Sequence, residues 1–292
     1  MRYEGTIYRP PSEADSLILQ ATVGCAHNTC TFCSMYKDKK FRVRPVSEVT
    51  GEVAEVAASR YAPFINKVFI ADGDALAMKT GDMLSILTAI REMLPHVTRV
   101  TSYGTAQDVI LKSEEDLKLL KDNGLAMIYL GAESGDDGIL TAVHKDMTAD
   151  DMAEAGQKLS RAGIMCSMTF ISGLGGREKL REHAVSCALL TNRMRPAYAS
   201  FLTLQLTYGT PMYDDVKSGR FNRITTEESV REMQLYLENV DSPGTVFRMN
   251  HASNCFQLAG TLNDDIPAMQ KVLSEVENGR RYARRMGEYE IL

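Results

Sequence analysis

Three cysteines, Cys25, Cys30 and Cys33, lie within nine residues of one another near the start of the sequence. Thiolates are the ligands that iron–sulfur clusters and soft metal ions prefer. A structural zinc site normally takes four protein ligands, whereas three thiolates leave one iron of a [4Fe–4S] cluster open for a further ligand. The triplet therefore favours an iron–sulfur cluster, and a structural zinc site or a group of redox-sensitive thiols is the alternative.

The remaining cysteines, Cys166, Cys187 and Cys255, are distant from the triplet and from one another. Their spacing does not resemble the grouped ligands of a second cluster, so we expect them to pack in the core as small apolar side chains. Cys255 stands apart from the other two because a run of polar residues precedes it, which leaves a role near a site open.

The whole chain has the composition of an ordinary globular protein of one or two domains. It has 292 residues, with 33 Lys and Arg against 38 Asp and Glu. The net charge of −5 argues against bulk nucleic-acid binding. Apolar runs stay below the roughly 18 residues of a membrane span, and the N-terminal segment is charged where a signal peptide is apolar. These features predict a cytoplasmic protein with no membrane partner, in which disulfides are not expected.

Short apolar runs alternate with segments of helical periodicity, six times at intervals of about 30 residues. The predicted strands are 16–23, 67–71, 99–103, 126–130, 164–171 and 198–206, with a short last strand at 246–249. The predicted helices are 47–64, 81–94, 113–124, 148–163, 177–194, 225–240 and a charged one near 265–285. Such alternation implies a parallel sheet flanked by helices, which an open doubly wound sheet and a full or partial (β/α) barrel both provide.

The cysteine segment follows the first predicted strand and reads Gly24-Cys25-Ala26-His27-Asn28-Thr29-Cys30-Thr31-Phe32-Cys33. A triplet at this position, with an aromatic residue before the last cysteine, resembles the radical SAM (S-adenosylmethionine) superfamily. The usual spacing in that family is C-x3-C-x2-C, and this chain has C-x4-C-x2-C, which is one residue longer. The departure concerns the geometry of the loop more than its chemistry, because a cluster needs three sulfurs and a loop can absorb one residue.

Two later strands end in motifs that strengthen the resemblance. The second ends Ala71-Asp72-Gly73-Asp74, which is similar to a family motif that binds the amino group of SAM, with Asp74 in place of the usual Glu. The fourth ends Gly131-Ala132-Glu133-Ser134-Gly135, which is similar to a family run whose acid, here Glu133, lies at the cofactor ribose. A plain Asp-Gly turn and an acid at a helix N-terminus are the alternatives.

The fifth strand resembles the adenine-binding motif of the family at Ile171 and Gly173. Thr169 and Gly176 stand where that motif has a Gly and a Glu. Apolar packing and backbone contacts to adenine survive these replacements, but a role of the Glu does not. The resemblance also implies that Phe32 packs near the adenine and presents its backbone to it.

Two further polar residues are candidates for the same pocket. Ser102 ends the third predicted strand, and Lys145 lies where related enzymes often place a basic residue that pairs with the SAM carboxylate. A strand serine whose hydroxyl is satisfied locally and a solvated lysine are the alternatives.

Because the motifs end successive strands, the resemblance implies an α/β fold of the partial (β/α)6 barrel type with a C-terminal extension. Barrel enzymes carry their active sites at the C-terminal ends of the strands. No G-x-G-x-x-G follows the first strand, which argues against a dinucleotide-binding sheet. The resemblance covers about residues 16–213. We therefore expect a core domain over 1–213 and a helical extension over 214–292 that would cap the barrel mouth.

The resemblance implies an enzyme in which a reduced [4Fe–4S] cluster cleaves SAM to methionine and a 5′-deoxyadenosyl radical. The radical would take a hydrogen atom from a substrate that the sequence does not identify. A flavodoxin or ferredoxin is implied as the electron donor, and the open iron implies a setting low in oxygen. Methylthiotransferase-like and coproporphyrinogen-oxidase-like chemistry are alternative reactions. A non-catalytic iron–sulfur or zinc redox sensor is the alternative outside enzymes.

A polar run at 248–255 is a candidate for substrate contacts, because it follows the last predicted strand. It offers His251 as a general acid or base, and Asn250 and Asn254 as hydrogen-bonding groups. A loop whose polar side chains satisfy its own backbone is the alternative.

A charged run at 35–44 follows the cysteines. It would contribute Tyr36, Arg42 or Arg44 to the site, or dock an acidic electron donor. A solvated charged segment is the alternative.

Overall fold

The computed structural model describes residues 1–284 of the chain. Within them the strands are β1 (Leu17–Gln20), β2 (Thr22–Val23), β3 (Arg42–Val43), β4 (Lys67–Ala71), β5 (Arg99–Gly104), β6 (Leu125–Glu133), β7 (Met165–Ser172), β8 (Tyr198–Thr203), β9 (Val246–Met249) and β10 (Leu258–Thr261). The main sheet has the strand order β1-β4-β5-β6-β7-β8-β9-β10. The pairs from β1 to β6 and from β7 to β9 are parallel, whereas β10 runs antiparallel to β9. The separate β2–β3 pair is antiparallel.

The α-helices of the described residues are α1 (Val46–Ala57), α2 (Thr80–Met93), α3 (Ala106–Leu111), α4 (Glu114–Asp122), α5 (Asp137–Ala142), α6 (Ala149–Arg161), α7 (Leu180–Met194), α8 (Pro211–Lys217), α9 (Thr226–Asn239) and α10 (Ile266–Glu277). Helices therefore alternate with the parallel strands, which confirms the predicted α/β fold. The predicted starts at Ser113 and Thr225 are also confirmed, because each side chain accepts a backbone hydrogen bond at the start of α4 and α9.

The structure differs from the predictions at several boundaries. The predicted helix 47–64 ends at Ala57, and a separate short 3-10 turn that contains Pro63 follows. The predicted strand 198–206 ends at Thr203. Residue 285, the last of the predicted final helix, lies outside the described residues, and α10 ends at Glu277.

The C-terminal part is less purely helical than predicted, because β9 and β10 lie within it together with α8, α9 and α10. The predicted strand at 246–249 is confirmed as β9. The predicted domain boundary after residue 213 stays a prediction, and residues 285–292 of that extension lie outside the described residues.

The described chain divides into two compact units, each assembled from separate stretches. The first unit comprises Met1–Asn28, Met35–Leu130 and Gln157–Cys166, and the second comprises Thr29–Ser34, Gly131–Gly156 and the residues from Ser167 onward. The first unit contains an apolar cluster of Phe69, Ala71, Met127 and Tyr129. The second contains a cluster of Ile139, Val143, Leu174, Leu204, Leu206 and Met212. Burial of such side chains stabilises each unit by about 1.5–3 kcal/mol per large residue.

The three isolated cysteines, Cys166, Cys187 and Cys255, are buried. Burial raises the pKa of the Cys166 thiol to about 12, so this side chain stays protonated and unreactive at neutral pH. The expectation of core packing is confirmed for Cys166 and Cys187. Cys255 is buried as well, and its role near a site stays a prediction. The helices of the described residues are too short or too polar to cross a membrane.

Candidate functional site

The first unit carries Cys25 directly after Gly24, whose positive φ of 81° is readily adopted by glycine. The Gly24 amide donates a hydrogen bond of 3.1 Å to the Asp72 carboxylate. The same carboxylate oxygen lies 2.8 Å from the Lys39 amine and 3.2 Å from the Gln20 amide nitrogen. Asp72 therefore organises the backbone from which the cysteine segment departs.

The four residues between Cys25 and Cys30 include Asn28, which has an unusual backbone conformation. Its φ of 40° is in the left-handed region, which asparagine tolerates better than most residues. The Asn28 side-chain amide donates to the Tyr36 carbonyl at 2.8 Å, and the Asn28 carbonyl accepts from the Lys37 amine at 2.7 Å. The loop between Cys25 and Cys30 therefore contains a left-handed residue that is fixed by hydrogen bonds.

The predicted SAM residues Gly73 and Asp74 follow β4 in the first unit, and the Asp74 carboxylate is buried. Gly73 is in close contact with a ring, since a Cβ atom there would lie 2.4 Å from Cε2 of Tyr36. Burial, and then the nearby Asp72 carboxylate, raise the pKa of the Tyr36 phenol well above its ordinary value. Ser102 is buried and its hydroxyl donates to backbone carbonyls, which favours the alternative of a locally satisfied hydroxyl.

The second unit contains the short segment Thr29–Ser34 with Cys30 and Cys33. The Thr31 amide donates to the Val143 carbonyl at 3.0 Å, and the Met212 amide donates to the Thr31 carbonyl at 3.1 Å. This segment is therefore fixed on both sides by backbone hydrogen bonds.

Phe32 and Ile171 pack against the same apolar cluster of the second unit. Both residues were predicted to contact the adenine, and both lie against this cluster. Both are partly buried, so each retains surface for a planar apolar ligand.

Glu133 and Lys145 form an ion pair of 3.0 Å in the second unit, and their side chains are 14% and 12% exposed. Lys145 is therefore not a solvated lysine, and that alternative is wrong. Glu133 has a φ of 64°, an uncommon conformation for a residue with a side chain. Such outliers concentrate at functional positions. The structure thus joins the two residues predicted for the SAM ribose and carboxylate.

A buried hydrogen-bond network that no sequence motif indicated supports Gly173 directly after β7. The Gly173 amide lies 3.1 and 3.2 Å from the two carboxylate oxygens of Glu232. The Ser172 hydroxyl donates to the same carboxylate, and Nδ1 of His183 lies 2.8 Å from it. Nε2 of His183 lies 3.5 Å from the Glu133 carbonyl. One network therefore supports two predicted SAM residues, Glu133 and Gly173.

His183 and Glu232 are fully buried. Burial opposes a charge on His183, but the adjacent Cys187 and Glu232 side chains together raise the pKa of the imidazole well above its ordinary value. In the sequence, His183 and Glu232 are single polar residues on two amphipathic helices, a pattern typical of surface residues. Only the folded structure shows that they are buried together.

The polar run at 248–255 is used largely by the fold of the second unit. The Asn254 side chain accepts from the Thr203 amide at 2.8 Å and donates to the Phe201 carbonyl at 3.0 Å. His251 is half-buried, and burial lowers the pKa of its imidazole. Its Nδ1 accepts from the Ser253 amide at 3.1 Å. This geometry favours the alternative of a loop that satisfies its own backbone, and a catalytic role of His251 stays a prediction.

The charged run at 35–44 is only partly solvated. Tyr36 and Arg44 are buried, and Arg44 donates to the Gln20 carbonyl at 2.8 Å and to Glu52 at 2.9 Å. Arg42 is exposed and pairs with Glu4. The alternative of a fully solvated segment is therefore wrong for Tyr36 and Arg44.

All six cysteines are thiols rather than disulfides. Three thiols on one segment have the chemistry of an iron–sulfur donor set. Residues 1–284 hold no three His, Cys, Asp or Glu side chains already gathered as metal ligands. The triplet fits an iron–sulfur cluster by the chemistry of its three thiols.

An α/β fold with a mainly parallel sheet and a cysteine triplet after its first strand characterises a class of cofactor-dependent barrel enzymes. The chain belongs to the radical SAM superfamily, whose family model matches residues 19–185, more than half of the sequence. Its cofactors are those of the family, a [4Fe–4S] cluster and SAM, and the family chemistry is SAM-cleaving radical chemistry.

The chain is similar to heme chaperone HemW of Bacillus subtilis (strain 168), with 21% identity over 228 residues that cover 75% of this chain and 58% of HemW. It is also similar in structure to TsrM, a radical SAM methyltransferase from Kitasatospora setae, with a TM-score of 0.56 and 18% identity over 70% of this chain and 39% of TsrM. Methylornithine synthase PylB matches with a TM-score of 0.54 and 14% identity over 92% of this chain and 83% of PylB. These structural matches confirm the predicted partial-barrel fold. The chain spans less than two thirds of HemW and TsrM.

Proposed function

We propose that Cys25, Cys30 and Cys33 hold the [4Fe–4S] cluster and that the chain uses it to start a hydrogen-atom abstraction from a substrate. The observation that carries this proposal is the family match over residues 19–185, because it spans the cysteine segment and the later motifs. Cys25, Cys30 and Cys33 would hold the cluster, which in its reduced form would supply the electron for cleavage of SAM and so for the radical chemistry on the substrate.

The residues of the second unit are suited to bind most of SAM. The Glu133 carboxylate can accept hydrogen bonds from both ribose hydroxyls, and the Lys145 amine can donate to the SAM carboxylate. Phe32 and Ile171 offer an apolar patch for the adenine. Because Gly173 has a positive φ of 83° and no side chain, its backbone allows a close approach.

In the first unit, the buried Asp74 carboxylate is suited to the ammonium group of SAM, with Gly73 beside it. The Ser102 hydroxyl already donates to a carbonyl of the neighbouring strand, so we leave it outside the proposed set. The proposal includes a small electron-transfer protein of the flavodoxin or ferredoxin class as reductant and a cytoplasm low in oxygen.

Anaerobic reconstitution of the full chain with iron and sulfide, followed by dithionite and SAM, tests this function. We expect 5′-deoxyadenosine and methionine to form in equal amounts, and neither to form when dithionite or SAM is omitted. A chain that binds iron or zinc but forms no 5′-deoxyadenosine under these conditions would refute the proposal and would favour a redox sensor.

A further inference from the structure

Asp72 is a buried carboxylate whose one oxygen binds three groups of the first unit. Its Oδ2 lies 2.8 Å from the Lys39 amine, 3.1 Å from the Gly24 amide and 3.2 Å from Nε2 of Gln20. The side chains of Asp72 and Lys39 are 0% and 5% exposed. Gly73 and Asp74, but not Asp72, are the SAM candidates that the sequence motif offers.

The two loop residues that bind Asp72 flank the cysteine segment. Gly24 directly precedes Cys25, and Lys39 follows Cys33 by six residues. The Lys39 side chain also contacts Gly24, since a Cβ atom on that glycine would lie 3.3 Å from Cβ of Lys39. Its amine donates further to the Thr6 carbonyl at 2.6 Å. Oδ2 of Asp72 therefore connects Gly24, which precedes the first cysteine, to Lys39, which follows the last one.

Tyr36 reinforces this connection. Its ring packs against Gly73, next in sequence to Asp72, and the Lys39 amine lies 5.2 Å from the ring centre. The Tyr36 carbonyl accepts the hydrogen bond from Asn28, inside the cysteine segment. The part of the loop in the first unit is therefore held by a connected group of buried contacts.

Stability alone does not account for a buried ion pair at this place. Removing two charges from water costs several kcal/mol per ion, and apolar replacements of buried pairs are often neutral or stabilising. A pair that bridges both ends of a loop instead restricts the conformations that the loop can adopt before it binds a ligand. Mutation of a residue that orients metal ligands from outside the ligand set typically lowers metal affinity by about 10–100-fold.

We infer that Asp72 and Lys39 are a positioning pair that closes the base of the cysteine segment and thereby fixes its thiols for iron. This inference rests on the proposed function, because it assumes that Cys25, Cys30 and Cys33 bind the cluster. Neither residue of the pair supplies a ligand to iron.

The variants D72N and K39M test the pair in the full chain. After anaerobic reconstitution, we expect each variant to lose iron to a chelator about 10–100-fold faster than the unchanged protein. We also expect a broadened electron paramagnetic resonance spectrum of the reduced cluster. In the double variant D72N/K39M no unpaired charge is buried, so we expect the unfolding temperature to recover while iron is still lost rapidly. If the recovered stability restored iron retention, the role of the pair would be structural only and the inference would be wrong.

Glu13 provides a matched control in the same unit. Its side chain is 0% exposed, pairs with Arg99 at 2.9 Å and accepts hydrogen bonds from the Tyr129 and Ser16 hydroxyls. We expect E13Q to unfold at a lower temperature but to retain iron at the rate of the unchanged protein. Iron loss from E13Q as fast as from D72N would overturn the inference. Failure of the unchanged chain to bind iron and form 5′-deoxyadenosine would instead overturn the proposed function.

Discussion

Replacement of Glu232 by alanine should strongly destabilise the chain. The carboxylate is fully buried and binds the His183 ring at 2.8 Å, the Gly173 amide at 3.1 Å and the Ser172 hydroxyl. Without this carboxylate, the charged form of His183 loses its hydrogen-bonded partner. The Gly173 amide and the Ser172 hydroxyl also lose their acceptor.

The expected loss follows from the burial of these groups. Removing one partner of a buried charged pair costs about 3–5 kcal/mol, and a typical domain is stable by only about 5–15 kcal/mol. At about 2–4 °C per kcal/mol, the unfolding temperature of E232A should fall by roughly 6–20 °C. E232Q should fall less, because its amide oxygen can still accept one of the hydrogen bonds.

Thermal unfolding followed by circular dichroism measures this difference, and Glu238 on the same helix provides the control. Its side chain is 49% exposed and lies 3.6 Å from Arg231. Exposed pairs contribute about 0–1 kcal/mol, so E238A should unfold within about 4 °C of the unchanged chain. An E232A variant that unfolds as late as E238A would show that the buried network contributes no stability, and the reasoning would fail.

Three further changes test other parts of the structure. G73A should lower the free energy of unfolding by about 1–3 kcal/mol, because its Cβ would overlap the Tyr36 ring. The control G51A adds a Cβ in open space on α1, so it should be neutral or stabilising. Equal effects of the two variants in urea unfolding would contradict the packing at Gly73. E133Q should weaken SAM binding by about tenfold or more without loss of iron, because a charge-assisted hydrogen bond contributes about 1.5–3 kcal/mol. Titration calorimetry measures this affinity, and an unchanged value would remove Glu133 from the site. The pKa of His183 is raised in the folded chain, so the stabilisation from its charge is fully present below pH 6.5 and is lost as the pH rises through the folded-state pKa. The difference in unfolding free energy between the unchanged chain and H183Q should therefore narrow from pH 6.5 upward. A difference that stays constant with pH would contradict this.

Much of the fold could be predicted because its strands and long helices have strong local signals. β4 is a short apolar run, buried over four of its five residues, and such runs are typical of parallel sheets. The caps at Ser113 and Thr225 located two helix starts. The short helices α3, α5 and α8, of six or seven residues, were missed because they are too short to show a helical period.

The candidate site was predicted one residue at a time, but its connections were not. Glu133 and Lys145 were each identified by their position in the sequence, and only the fold shows that they pair. Asp72 and Lys39 are 33 residues apart in sequence, so no local pattern connects them.

The same limit applies to His183 and Glu232, which are 49 residues apart. Each lies on an amphipathic helix, where a single polar residue is usually solvated. Buried polar networks depend on tertiary packing, which local periodicity does not describe.

The iron content of cysteine variants after anaerobic reconstitution tests most directly which residues hold the cluster. For the variant C25A/C30A/C33A we predict almost no iron, no visible iron–sulfur absorption and no 5′-deoxyadenosine. The buried cysteines are changed one at a time, and each of C166A, C187A and C255A should bind about four irons per chain and cleave SAM. A triple variant that keeps its iron, or a C255A variant that loses it, would contradict the assignment of the cluster to Cys25, Cys30 and Cys33.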